Sequence, residues 1–132
     1  MPTDYLIIDA FTDTPFSGNP AAVVPLARAA DPAWMQQVAA EFNLSETAFV
    51  HPDGDDWRIR WFTPTVEVAL CGHATLASAA ALWHRGLVAA GRPIRFMSMS
   101  GPLIACREHG RIEVRHLEPQ HDTVNRGALH RD

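Results

Sequence analysis

Glu46, Cys71, Gly72 and His73 are the residues of this sequence whose types and settings could do chemistry. Glu46 stands in Asn43-Leu44-Ser45-Glu46, a connection between a helical stretch and a mostly apolar strand. Desolvation strengthens a carboxylate as a base, which is what removing a proton from a weak C–H acid demands. The competing reading is local: Asn43 and Glu46 simply cap the turn. His73 falls in the first turn of a helix, where a neutral imidazole could donate a proton or hydrogen-bond a substrate carboxylate beside free backbone amides. A core histidine bonded to a carbonyl fits the same position. Gly72, lacking Cβ, would let a ligand approach the backbone closely. Cys71 is either a thiolate favoured by the helix N-terminus or a small buried hydrophobe. Cys106 lies in an alternating strand and reads as structural, while Glu67 caps or salt-bridges a turn. The remaining histidines, at 51, 84, 109, 116, 121 and 130, show no metal-ligand spacing, so no metal is expected.

The helix that must present Gly72 and His73 is unusual. From Ala74 to Trp83 its only polar side chains are Thr75 and Ser78, and no charge appears before His84 and Arg85. A helix on a protein surface shows one apolar stripe and one polar face. This one therefore reads as a buried helix wrapped by sheet, stopped at Gly86. Its alanines would let strands come close, and it is too short to span a bilayer.

The strands around it follow from pattern. Tyr5–Phe11 reads as a largely buried strand, and Ala21–Val24 as a short one ended by Pro25. Asp31-Pro32 is a helix start, followed by Trp34, Val38 and Phe42 at four-residue intervals, with Met35 beside them. Thr47–Val50 is a strand, and residues 51–56 are a polar hairpin loop. Trp57, Ile59 and Trp61 then alternate with Arg58, Arg60 and Phe62. Pro93–Met99 is a further strand, and Leu103–Arg107 and Arg111–Arg115 form a hairpin closed at 108–110. The fold class is α+β: a curved, mostly antiparallel sheet rolled around a central buried helix. Residues 1–116 form the domain, and 117–132 read as a polar tail or linker, because neither period continues.

At 132 residues the chain can bury one core of ordinary size. Its net charge of −4 argues against nucleic acid as a partner and offers no basic face to a membrane. Two cysteines make neither a disulfide framework nor a zinc site. No apolar leader is visible at the start, so a cytoplasmic location is expected.

Four segments together resemble the phenazine-biosynthesis isomerase family (PhzF-like): IIDAFTDTPFSGNPAAVV, NLSETAFV, RWFTPTVEVALCGHATLA and SGPLIACREHGRIEV. Their order and spacing are similar to the family's N-terminal half, over roughly residues 5 to 115. The resemblance implies a diaminopimelate-epimerase-like fold with two similar domains and the active site between them. It implies Glu46 as the catalytic base, Ser45, Gly72 and His73 as substrate-binding residues, and cofactor-independent proton transfer on a small carboxylate-bearing metabolite. No catalytic role is implied for Cys71. After Val114 the family runs on toward a second domain, whereas here HLEPQHDTVNRGALHRD follows. One wall of the cleft must then come from a missing C-terminal domain or a homodimer partner. The readings of function are an isomerase inactive as this isolated half, a non-catalytic half that binds a ligand or self-associates, and an epimerase using Cys71 as thiolate.

Overall fold

The structure, a computed structural model, describes residues 4–10 and 19–117. Residues 118–132 of the expected tail, and Phe11 of the first expected strand, lie outside the described residues. In chain order the elements are β1 (Leu6–Ala10), β2 (Asn19–Pro25), α1 (Pro32–Phe42), β3 (Glu46–Asp53), β4 (Asp56–Phe62), β5 (Glu67–Val68), α2 (Gly72–His84), β6 (Ile94–Ser98), β7 (Gly101–Glu108) and β8 (Arg111–His116). The sheet runs β1-β2-β3-β4-β6-β7-β8, with β5 pairing to β4. Five of its pairings are antiparallel, and β2–β3 and β4–β6 are parallel. The parallel pairs have a physical reason: a crossover carrying a helix is needed between them, and α1 and α2 fill those two connections. β1 and β8, the two ends of the sheet, both pack on α2. The sheet is therefore rolled around that helix, as its composition predicts.

Nine of the thirteen residues of α2 are buried. Its two hydroxyls are absorbed by the helix itself: Thr75 Oγ1 donates to Cys71 O and Ser78 Oγ to Ala74 O, each at 2.7 Å. Around it the inward faces of the strands supply Val23, Val50, Ile59, Trp61, Phe96 and Leu103. The helix stops where Gly86 takes φ +73°. Leu87 N–H then reaches Leu82 O and Gly86 N–H reaches Trp83 O, which is a Schellman ending. On the outer face α1 covers a second, smaller cluster of Val24, Met35, Ala39, Phe49 and Phe62. So β3 alternates between two cores, Ala48 and Val50 facing α2 and Phe49 facing α1.

Two expectations are corrected. β1 is not largely buried, since Tyr5 and Ile7 are half exposed. It is an edge strand whose inner face alone meets α2, and the Tyr5 ring reaches Phe42 of α1, tilted by 50° with centroids 4.8 Å apart. Residues 51–56 are not a loop either. The ladder of β3 and β4 continues to Asp53 opposite Asp56, leaving only Gly54-Asp55 as the turn, with Gly54 at φ +65°. Polar side chains on that end of the hairpin are solvent-facing strand residues.

Candidate active site

Glu46 opens β3, one bend after α1 ends at Asn43 in the left-handed conformation (φ 53°). Parallel pairing puts it beside Ala21 of β2. The next residue, Thr47, pairs with Phe62 at the end of β4. From there a tight turn, held by Thr63 and Val66, leads through β5 into the start of α2. The same edge of the rolled sheet thus receives the first residue of β3 and the first turn of the buried helix. Glu67 on that route is tied to Arg60 by two 2.7 Å hydrogen bonds, so it is a structural ion pair.

Cys71 is the N-cap of α2, extended at φ −147° and ψ 108°, and its side chain makes no capping hydrogen bond. No acidic residue occupies the first turn. The leading N–H groups of α2 and their dipole are consequently left without an acidic cap, a setting that favours a bound anion. Gly72 does not have a positive φ, so its backbone conformation does not require glycine.

His73 Nε2 lies 3.0 Å from Glu46 Oε1, with the two side chains 14% and 18% exposed. The approach has ion-pair distance, although Oε1 sits off the direction of the ring N–H and finds no well-aligned donor among the described residues. On the other side of the ring, Cys71 Sγ is 3.6 Å from Nδ1. Burial pushes the Cys71 thiol up to about 12, and the neighbouring Glu46 carboxylate adds to this, while the backbone N–H groups of Ala74 and His73 pull the other way. Desolvation outweighs the helix start, so the sulfur is a thiol at neutral pH.

Glu46 and His73 therefore meet, and Gly72 adjoins His73 at the start of α2. Ser45 is exposed in the bend next to Glu46 and has a polar interaction of its own. The contact between Cys71 and the His73 ring escapes sequence reasoning. Its only trace there is a cysteine in an N-cap position that serine, threonine or aspartate usually fills. Glu46, Cys71 and His73 also offer three donor atoms within 4.8 Å of one another. They come from two separate segments, which is why linear spacing did not reveal them. A cation there would face the positive end of α2 and would have to displace a firmly held thiol proton, so the donor set fits a metal poorly. A cavity of about 360 Å³ lies elsewhere, on the outer face among Leu26, Met35, Phe49, Arg58, Arg60 and Met97. Both of its arginines are already paired, Arg58 with Asp53 and Arg60 with Glu67. Among the described residues no helix is long and apolar enough to cross a membrane.

Comparison with known proteins gives a consistent picture. The family model described as "Phenazine biosynthesis-like protein" matches residues 8–130. An uncharacterised isomerase of Halalkalibacterium halodurans is 53% identical over 114 residues, covering 86% of this chain and 43% of its own length. Among solved structures, a phenazine biosynthesis protein of the PhzF family from Enterococcus faecalis superposes with TM-score 0.82 at 45% identity, covering 86% of this chain and 44% of that one. A hydroxyproline epimerase from Agrobacterium vitis shares the fold alone, with TM-score 0.63 at 12% identity. The chain spans less than half the length of the relatives it matches.

Proposed function

The chain belongs to the phenazine biosynthesis-like family, and from that premise we propose that it carries one half of a cofactor-independent isomerase site. Glu46 is the base that takes a proton from a substrate carbon. The N–H groups at the start of α2, with His73, hold a carboxylate of the substrate and steady the negative charge that develops as the proton leaves. The observation that carries this reading is the 3.0 Å approach of His73 to Glu46 beside a helix start that no side chain caps. A neutral imidazole next to the base can also receive or return the proton without leaving the site. The substrate class is a small metabolite whose C–H bond is acidified by a neighbouring carboxylate or double bond.

Proton return from the opposite face and exclusion of water both need a second wall. The relatives are about twice as long, which supports assigning that wall to a C-terminal domain. The chain by itself is then expected to be inactive. The test is exchange of substrate C–H for C–D in heavy water, with a family substrate. This chain is mixed with the separately expressed C-terminal half of the Halalkalibacterium halodurans relative. Exchange should appear only with both halves and should fall by at least a hundredfold in Glu46→Gln, which keeps the shape and removes the base. Efficient exchange by the chain without a partner would overturn the half-site reading. Exchange by the mixture that survives Glu46→Gln would remove Glu46 as base.

A further inference from the structure

We infer that Cys71 is a positioning residue of this site: its S–H donates to Nδ1 of His73 and thereby holds the ring proton on Nε2, the nitrogen that faces Glu46. His73 Nε2 and Glu46 Oε1 stand 3.0 Å apart. At that separation a ring lone pair and a carboxylate lone pair repel, so a proton belongs between them. When the neutral ring carries it on Nε2, Nδ1 becomes an acceptor, and Cys71 Sγ lies 3.6 Å away, within reach for a sulfur donor.

The local backbone explains why sulfur is there. An N-cap side chain ordinarily turns back to accept from the N–H of the second or third helical residue. Cys71 makes no well-formed bond of that kind, although the N–H groups of His73 and Ala74 lie near enough to favour its thiolate. Its side chain instead meets the ring of the residue two positions on. A serine or aspartate would accept those amide protons strongly and close the anion site; sulfur accepts weakly. Burial keeps the thiol protonated at neutral pH, so the sulfur has a proton to give. The Glu46 carboxylate is a second acceptor that the thiol also approaches, and the well-directed contact is the one to Nδ1 at 3.6 Å. Glu46 from β3 and Cys71 from the start of α2 are titratable groups that place donor atoms beside the ring.

The consequence is one assigned tautomer, with the thiol on Nδ1 and the ring proton on the side of Glu46. Its value for turnover rests on the proposed role of Glu46. The proton placement does not, and it can be measured on this chain without substrate. In protein carrying 15N-labelled histidine, long-range nitrogen–proton spectra should show His73 with a protonated Nε2 and a hydrogen-bonded, unprotonated Nδ1. Cys71→Ala should move the Nδ1 resonance to the position of a nitrogen that has lost its donor. Raman spectra of the Cys106→Ser protein isolate the S–H band of Cys71. That band should be displaced to low frequency, return toward the free-thiol position in His73→Phe, and stay displaced in Glu46→Gln. An Nδ1–H tautomer in the unaltered chain would overturn the inference. So would an undisplaced S–H band, or one that responds to Glu46→Gln and not to His73→Phe. If the tautomer is as inferred while complemented exchange survives Glu46→Gln, the base assignment fails and the Cys71–His73 link stands.

Discussion

α1 and α2 are helices of similar length that the chain uses in opposite ways. α1 buries only Met35 and Ala39 and lies on the outside of the sheet. Its start is closed: Pro32 occupies the first position, and Asp31 accepts from Ala33 N–H at 3.0 Å. α2 is buried on nearly every side, and its start is open, with a cysteine at the cap that makes no capping bond. The outer helix spends its N-terminus on stability. The inner one leaves its amides for something else, and packing by the whole rolled sheet offsets the missing cap. A helix start without its usual side chain is thus informative only when the rest of the helix is over-determined.

The sharpest way to break this contrast is to add the same side-chain bulk to both helices. Ala77 is fully buried in α2, whereas Ala40 is exposed on α1. Ala77→Leu should cost roughly 1–3 kcal/mol or more, because a helix ringed by strands has no volume to yield. Ala40→Leu should stay within about 0.5 kcal/mol. Urea unfolding of the two variants checks this, and equal midpoints would mean that α2 is not enclosed. Ala80 is only half-buried, so its replacement by leucine should fall between the two.

A smaller effect is expected at the closed start. Asp31→Ala should cost about 1 kcal/mol by loss of the cap, with no change in the resonances of Glu46 or His73. Disturbance of those resonances would show that the two helix starts are coupled. The smallest effect is one of rate and pH. Cys71, buried and pushed up to about 12, should resist iodoacetamide in the folded chain at pH 8 while the partly exposed Cys106 reacts. Because the folded value is raised above the ordinary 9.0, this thiol's contribution to stability is complete below about pH 9. It should decline as the pH rises from there toward 12, since the unfolded chain then releases a proton that the folded one retains. Rapid labelling of Cys71 at pH 8 would restore the thiolate reading.

Much of this architecture was legible in the sequence, and particular residues show why. An unbroken apolar run from Ala74 to Trp83, interrupted only by Thr75 and Ser78, permits no surface helix, so the rolled sheet followed from composition alone. Period-two alternation placed Trp57, Ile59 and Trp61 together on the inner face, where they are found. What pattern could not show was coverage. Phe62, grouped by alternation with Arg58 and Arg60, is buried because α1 happens to lie over it. Ile7, an apolar residue in an apolar strand, is exposed because β1 is at the sheet's edge and nothing covers that face. At the site, residue types and a helix start pointed to Glu46, Gly72 and His73 one by one. Their convergence depended on the parallel pairing of β2 with β3 and on the route through β5, which are long-range facts with no local signature.

The open start of α2 as an anion-binding half-site is best tested by titrating the 15N-labelled chain with a small unsaturated carboxylate such as benzoate. Amide resonances of Gly72, His73 and Ala74 should move with saturation, and those of Ala33, Trp34 and Met35 at the capped start of α1 should stay in place. The Gly72–Ala74 shifts should be reduced by Cys71→Asp, which would cap the helix and fill the anion position with a carboxylate of its own. Equal shifts at the two helix starts, or none at α2, would contradict the account.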